Sequence, residues 1–257
     1  MTQPIATSCA IAINWAVMSQ IPTRPDDAVA PIAKEGMPIV AGFVLVLGGA
    51  VVGAWALGAA LWLVVALSVA AALLCGWCVW FFRDPQRAIP SEASSVICSA
   101  DGVIKRIDQA HLPGEVAEAM KQAGHTPPEQ CVRVVTFLNV FDVHVNRAPV
   151  EGKVVAVVRG EGGFAHAGKV EADHNQRMTI VLQLADGRYA ACTQLTGLIA
   201  RRIICRAKVG DHYRAGQRYG LIRFGSRTDV YLPLGTQVRV TVGQRVRGGA
   251  DVLAQLG

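Results

Sequence analysis

The sequence predicts a mainly β domain, sandwich-like in its strand spacing, preceded by an α-helical membrane hairpin. Three observations carry that expectation. The 47 consecutive residues from Gly36 to Phe82 hold no Lys, Arg, Asp, Glu or His. Behind them, short runs rich in Val and Ile recur between glycines at about ten-residue spacing, which is the signature of many short strands. Finally, a Val-Gly-(Asp/Gln)-x-apolar-x-x-Gly stretch occurs twice, once within Lys208 to Gln217 and once within Thr241 to Ala250.

The apolar run comes first in chain order. One span needs ~20 apolar residues to cross ~30 Å of hydrocarbon, so 47 residues suit two. Gly48, Gly49, Gly53 and Gly58 mark the connection, leaving arms of about Pro38 to Gly53 and Leu57 to Trp80, the first short enough to dip rather than cross. Arg24 and Lys34 precede the run, while Arg83 and Arg87 follow it. The positive-inside bias puts both ends on the cytoplasmic side, with Trp77 and Trp80 at an interface. A cleaved signal peptide is a poor alternative, because the run begins after 35 residues and has no basic segment before it. The organisation expected is an N-terminal cytoplasmic segment 1–35, a hydrophobic hairpin 36–82 and a soluble domain 83–257.

The soluble part carries 23 Lys and Arg against 16 Asp and Glu, a balance that suits an anionic partner such as phospholipid headgroups or nucleic acid. Strands are expected at Val132 to Leu138, Lys153 to Val158, Met178 to Leu184, Ile199 to Cys205 and Val238 to Val242, with a single short helix between Gly114 and Gly124. The repeated glycine stretch resembles the turns of lipoyl-type and biotinyl-type β-sandwiches, where glycine supplies a positive φ. No lysine stands in an exposed hairpin of the kind those carriers modify. Seven cysteines without paired spacing argue against a disulfide framework or a metal site, and fit a reducing compartment.

Three segments carry chemistry. Ser99 to Ile104 contains Asp101-Gly102, Asn139 to Gly152 contains His144, and Leu221 to Pro233 contains Gly225-Ser226. Taken singly, these are a turn, a structural histidine and a bulge. Together they supply an acid, an imidazole and a hydroxyl, each beside glycine or in an irregular segment.

The chain resembles the short prokaryotic type of phosphatidylserine decarboxylase proenzyme. The resemblance rests on Phe81-Phe82-Arg83-Asp84-Pro85-Gln86-Arg87, Ala100-Asp101-Gly102, Phe137 to Arg147, Ile199 to Ile203 and Gly220 to Arg227, and covers about Pro31 to Ala254. It implies a pyruvoyl-dependent carboxy-lyase of phospholipid biosynthesis that converts phosphatidylserine to phosphatidylethanolamine. The chain would cleave itself between Gly225 and Ser226, leaving a large chain 1–225 and a small chain 226–257 that stay associated. Ser226 would become the pyruvoyl group that forms a Schiff base with substrate, His144 would be the base for self-cleavage, and Asp101 would orient His144. Arg147, Arg201 and Arg202 are candidate ligands of the lipid phosphate. The acid that reprotonates the substrate carbon is open among His144, Asp142 and a bound water. The resemblance also implies a cell-membrane location with the catalytic domain on the cytoplasmic side, no nucleic-acid partner and no metal, and it leaves room for a homodimer. Two other readings use the same residues: a membrane-anchored serine hydrolase built on Asp101, His144 and Ser226, although Gly225-Ser226-Arg227 lacks the second glycine of a G-x-S-x-G elbow, and a non-enzymatic lipoyl-like adaptor.

Overall fold

A computed structural model describes residues 31–92, 94–198, 202–223 and 225–257. Most of the expected segment 1–35, with Arg24, lies outside the described residues, as does Arg201.

Two helices, α1 (Met37–Ala56) and α2 (Leu61–Phe81), form the hairpin, and each is long and apolar enough to cross a membrane. At 1.5 Å per residue, 20 and 21 residues reach about 30 Å. The first arm is therefore longer than expected. Gly48, Gly49 and Gly53 stay inside α1, and only Gly58, at φ +74°, makes the turn. A helix satisfies its own backbone groups, so interior glycines are tolerated in an apolar segment that has no other hydrogen-bonding partners.

The remainder is mainly β. The strands are β1 (Ser95–Ile97), β2 (Gly102–Ala110), β3 (Cys131–Leu138), β4 (Val145–Arg147), β5 (Gly152–Gly160), β6 (Arg177–Gln183), β7 (Tyr189–Leu195), β8 (Arg202–Cys205), β9 (His212–Tyr213), β10 (Arg218–Arg223), β11 (Ser226–Leu232), β12 (Gln237–Val238), β13 (Arg245–Val246) and β14 (Val252–Gln255), with one helix, α3 (Gly114–Gln122), after β2. An eight-stranded sheet in the order β13-β2-β3-β11-β7-β6-β5-β9 forms the body, and two three-stranded sheets, β1-β14-β12 and β4-β10-β8, flank it.

The sequence repeat is a structural repeat. Gly210 and Gly216 in the first copy and Gly243 and Gly249 in the second all have positive φ. In each copy the turn clamps a neighbouring strand by the same two bonds. Gly210 N–H donates to Val154 O while Val154 N–H donates to Asp211 O, and Gly243 N–H and Ile104 N–H do the same with Ile104 O and Gln244 O. The pairs β5·β9 and β2·β13 are thus equivalent, and β5 and β2 share a register shift two residues after their initial glycines. The sheet reads as two four-stranded halves, β13-β2-β3-β11 and β9-β5-β6-β7, that meet where β11 pairs antiparallel with β7.

The hairpin is fastened to this body at its last turn. Phe81 and Phe82 are fully buried and pack with Ala33, Val143, Val145 and Leu221. Ala33 N–H donates to Phe82 O and Asp84 N–H to Pro31 O. The Asp84 carboxylate then receives Arg147 Nη2 at 2.6 Å and Arg218 Nη1 at 2.7 Å. Arg147 and Arg218 side chains are only 16% and 11% exposed, so Asp84→Ala strips a buried guanidinium of its carboxylate. The expected cost is about 3–5 kcal/mol, seen as a lower unfolding midpoint of the full chain in detergent. An unchanged midpoint would mean that this junction contributes nothing.

Candidate active site

Leu221 to Pro233 is not one strand with a bulge. The chain leaves the flanking sheet at the end of β10 and enters the middle of the large sheet at Ser226, the first residue of β11. The change of sheet needs a left-handed residue, and Gly225 has φ +75°. A Cβ there would meet nothing nearer than Val140 Cγ1 at 3.8 Å, so conformation rather than space demands glycine.

His144 lies against this bend. The Gly225 N–H donates to His144 Nε2 at 3.1 Å, and the other ring nitrogen, Nδ1, sits 2.9 Å from Asp142 O. A carbonyl can only accept, so Nδ1 carries the proton and Nε2 presents its lone pair to the Gly225 amide. The imidazole is fully buried and packs, tilted by 32°, against Phe81 of α2, with ring centroids 4.3 Å apart. Burial drives its pKa down to about 4. The Asp142 carbonyl acts in the opposite direction, and the more distant charges of Arg83 and Asp101 add smaller opposed effects. The ring is therefore neutral at physiological pH.

The loop that presents the Asp142 carbonyl is held at both ends. The Asp142 carboxylate accepts Asn139 N–H at 2.9 Å and Arg245 Nη1 at 2.6 Å. Arg83, stacked over Trp80, donates to Trp80 O at 2.8 Å and to Phe141 O at 2.7 Å. One guanidinium thus ties the exit of α2 to the histidine loop.

Ser226 is fully buried, and among the described residues its Oγ has no hydrogen-bond partner. A buried hydroxyl left unpaired costs about 1–3 kcal/mol, so a fold keeps one only for a reason.

The structure brings Gly225, Ser226 and His144 together, but it gives Asp101 a different role from the one expected. Asp101 does not bond to the imidazole. The Arg87 guanidinium grips both its carboxylate oxygens, Nη2 to Oδ2 at 2.8 Å and Nη1 to Oδ1, and Gly248 N–H donates to Oδ1 at 2.8 Å. The group that orients His144 is a main-chain carbonyl, which no side-chain motif announces. Arg147 is likewise committed to Asp84 rather than free for a phosphate. Arg202, on the edge strand β8, is exposed. Sequence reasoning also missed the local work of Phe81, Arg83 and Arg87. Their signal was the cluster of aromatic and charged residues that ends the apolar run.

The family model for phosphatidylserine decarboxylase matches residues 74–254. A phosphatidylserine decarboxylase proenzyme of Paramagnetospirillum magneticum is 44% identical over 228 residues, 88% of this chain and 87% of its own length. Those of Burkholderia multivorans and Mycobacteroides abscessus are each 40% identical over 227 residues, 88% of this chain and 96% and 88% of their own lengths. The chain belongs to the phosphatidylserine decarboxylase family. It is accordingly a carboxy-lyase, and family membership sets aside the hydrolase and adaptor readings. The expected family and the mainly β domain behind two apolar helices are both upheld.

Proposed function

We propose that this enzyme converts phosphatidylserine to phosphatidylethanolamine, in phospholipid biosynthesis, with a pyruvoyl group made from its own Ser226. The observation that carries this reading is the buried, partnerless Ser226 hydroxyl directly after a left-handed glycine whose amide rests on a neutral histidine. Loss of carbon dioxide from an α-amino acid leaves an electron pair on the α-carbon, and no unmodified side chain delocalises it.

In the self-cleavage, Ser226 Oγ adds to the Gly225 carbonyl carbon as its proton passes to His144 Nε2. The acyl group moves from nitrogen to oxygen, which turns the amide into an ester. Removal of the Ser226 α-proton then expels the Gly225 carboxylate, and hydrolysis of the enamine left behind releases ammonia. Asp101, paired to Arg87, acts on the imidazole through its charge and not by a bond. The pyruvoyl group so formed would supply a carbonyl that condenses with the substrate amine and takes up the electron pair when carbon dioxide leaves.

The two products have every reason to remain together. The small chain would contribute β11, which pairs with β3 along its whole length and with β7 over Arg227 to Tyr231, both in the large chain. The hairpin suits a substrate whose acyl chains stay in a bilayer, because Phe81 brings the end of α2 into contact with His144 and so sets the reacting centre at the foot of the helices. Cytoplasmic placement follows from the flanking arginines. Arg201 and the exposed Arg202 remain candidates for the lipid phosphate.

Intact mass under denaturing conditions, with and without borohydride and an amine, tests the reading. Two chains, 1–225 and 226–257, are expected, the smaller blocked at its amino terminus and heavier by one reduced amine adduct. A single 27.3 kDa chain that still decarboxylates phosphatidylserine would overturn it.

A further inference from the structure

Asn175 follows a 3-10 turn, Val170–His174, and is 1% exposed. Its amide is spent entirely on main chain. Oδ1 accepts Ala165 N–H at 2.7 Å, and Nδ2 donates to Ala165 O and to Thr196 O, each at 2.8 Å. One side chain thus stitches the loop containing Ala165 to the end of β7. The residue that follows Thr196 is Gly197, which is buried against the bond expected to break. A Cβ on Gly197 would lie 2.7 Å from Gly225 O and 3.2 Å from Ala167 Cβ.

The same segment is pinned from its other side. Asp173, in the 3-10 turn, pairs with Arg106 at 3.0 Å and with the buried Arg227, the neighbour of Ser226, whose guanidinium is also bidentate to Asp229 at 2.6 Å. Gly163 and Asn175 form a bridge, with Gly163 N–H on His174 O and Gln176 N–H on Gly163 O. Residues 163–176 are therefore fixed to both sides of the Gly225–Ser226 step.

We propose that Asn175 is a positioning residue for self-cleavage. Through Thr196-Gly197 and Ala165–Ala167 it sets the wall against which the Gly225 carbonyl rests, and so the placement of its carbon relative to Ser226 Oγ. The inference rests on the self-cleavage reading above. Misplacing reacting atoms by about 1 Å costs roughly 10²-fold in rate, so a wall that shifts slightly slows the acyl transfer without unfolding the sheet. The wall must be glycine because the carbonyl oxygen occupies the space a Cβ would take.

The test uses the full chain, freshly synthesised into detergent micelles, with chain splitting followed over time. Asn175→Asp keeps the acceptor for Ala165 N–H and loses both donors. Gly197→Ala moves the wall directly and leaves the amide intact. Each is expected to split 10- to 100-fold more slowly than the parent, while the fraction that does split turns over phosphatidylserine at the parent rate per molecule. Hydroxylamine cleaves esters and not amides, so it should release no extra product from either variant, because the ester forms slowly. Extra product on adding hydroxylamine would place the defect after the acyl transfer and overturn the proposal. Parent-rate splitting in both folded variants would overturn it too, as would a fall in turnover per split molecule matching the fall in splitting. Should Asn175→Asp fail to fold, Gly197→Ala reads the same carbonyl. If the parent chain itself never splits, the self-cleavage reading fails first, and that result is distinct from all of these.

Discussion

Ser226→Ala is expected to leave one full-length chain and to abolish decarboxylation, a loss on the order of 10⁶-fold or more, since it removes the source of the electron acceptor rather than one aid to catalysis. The fold should not suffer. Ser226 Oγ is buried and has no hydrogen-bond partner among the described residues, so its removal deletes an unsatisfied group and breaks no hydrogen bond there. Relative to the parent chain before it splits, stability should be unchanged or higher by about 1 kcal/mol. This combination separates lost chemistry from lost structure in one pair of measurements, an intact mass and an unfolding midpoint. A variant that still splits would move the scissile bond elsewhere, and one that is unsplit yet active would remove Ser226 from the chemistry. An unsplit chain with a much lower midpoint would show that the hydroxyl has a structural partner.

The hairpin is legible because composition alone defines an apolar span, but the length of its first arm is not, because glycines that weaken a helix in water do not end one in an apolar span. In an uncharged helix with no other hydrogen-bonding partner for its backbone, Gly48, Gly49 and Gly53 are ordinary helical residues, and only Gly58 turns. The helix at 114–122 and strands β3, β5 and β6 were legible from periodicity. The expected strand at Val238 to Val242 shrank to Gln237–Val238, because a turn built on Gly243 follows it closely. The repeat was visible because both copies need positive φ at the same two places. The break between β10 and β11 was invisible, since a left-handed glycine inside an apolar run looks the same whether it bulges one strand or transfers the chain to another sheet. At the site, Ser226, Gly225 and His144 could be found because their residue types carry chemistry. The orienting group cannot, because a backbone carbonyl has no residue type, whereas the Ala100-Asp101-Gly102 motif offers a carboxylate that the fold spends on Arg87 and Gly248. What Asp101 binds is Arg87, fourteen residues earlier, from the motif that closes the hairpin.

His144→Ala should slow chain splitting by about 10²- to 10⁴-fold, the range for removing a positioned proton acceptor. The pH dependence is the sharper test, because it follows from burial and not from the assignment of a base. The native imidazole has its pKa lowered to about 4 from an ordinary 6.5, so between those values the unfolded chain holds a proton that the native chain lacks. Stability contributed at this site therefore rises with pH across that window and falls as pH drops from about 6.5 to about 4, by about 3 kcal/mol in all. Comparing Ser226→Ala with Ser226→Ala/His144→Gln, both of them unsplit, isolates the effect. The first should lose that much more stability than the second on going from pH 7.5 to pH 4. Equal losses would mean that the ring is not held neutral by burial. The same value governs the reaction. If Nε2 must accept the serine proton, splitting of the parent chain should be independent of pH from about 8 down to 5 and decline only as pH approaches 4. A midpoint near 6.5 would instead describe a solvated histidine, at odds with one enclosed by Phe81 and the Gly225 amide.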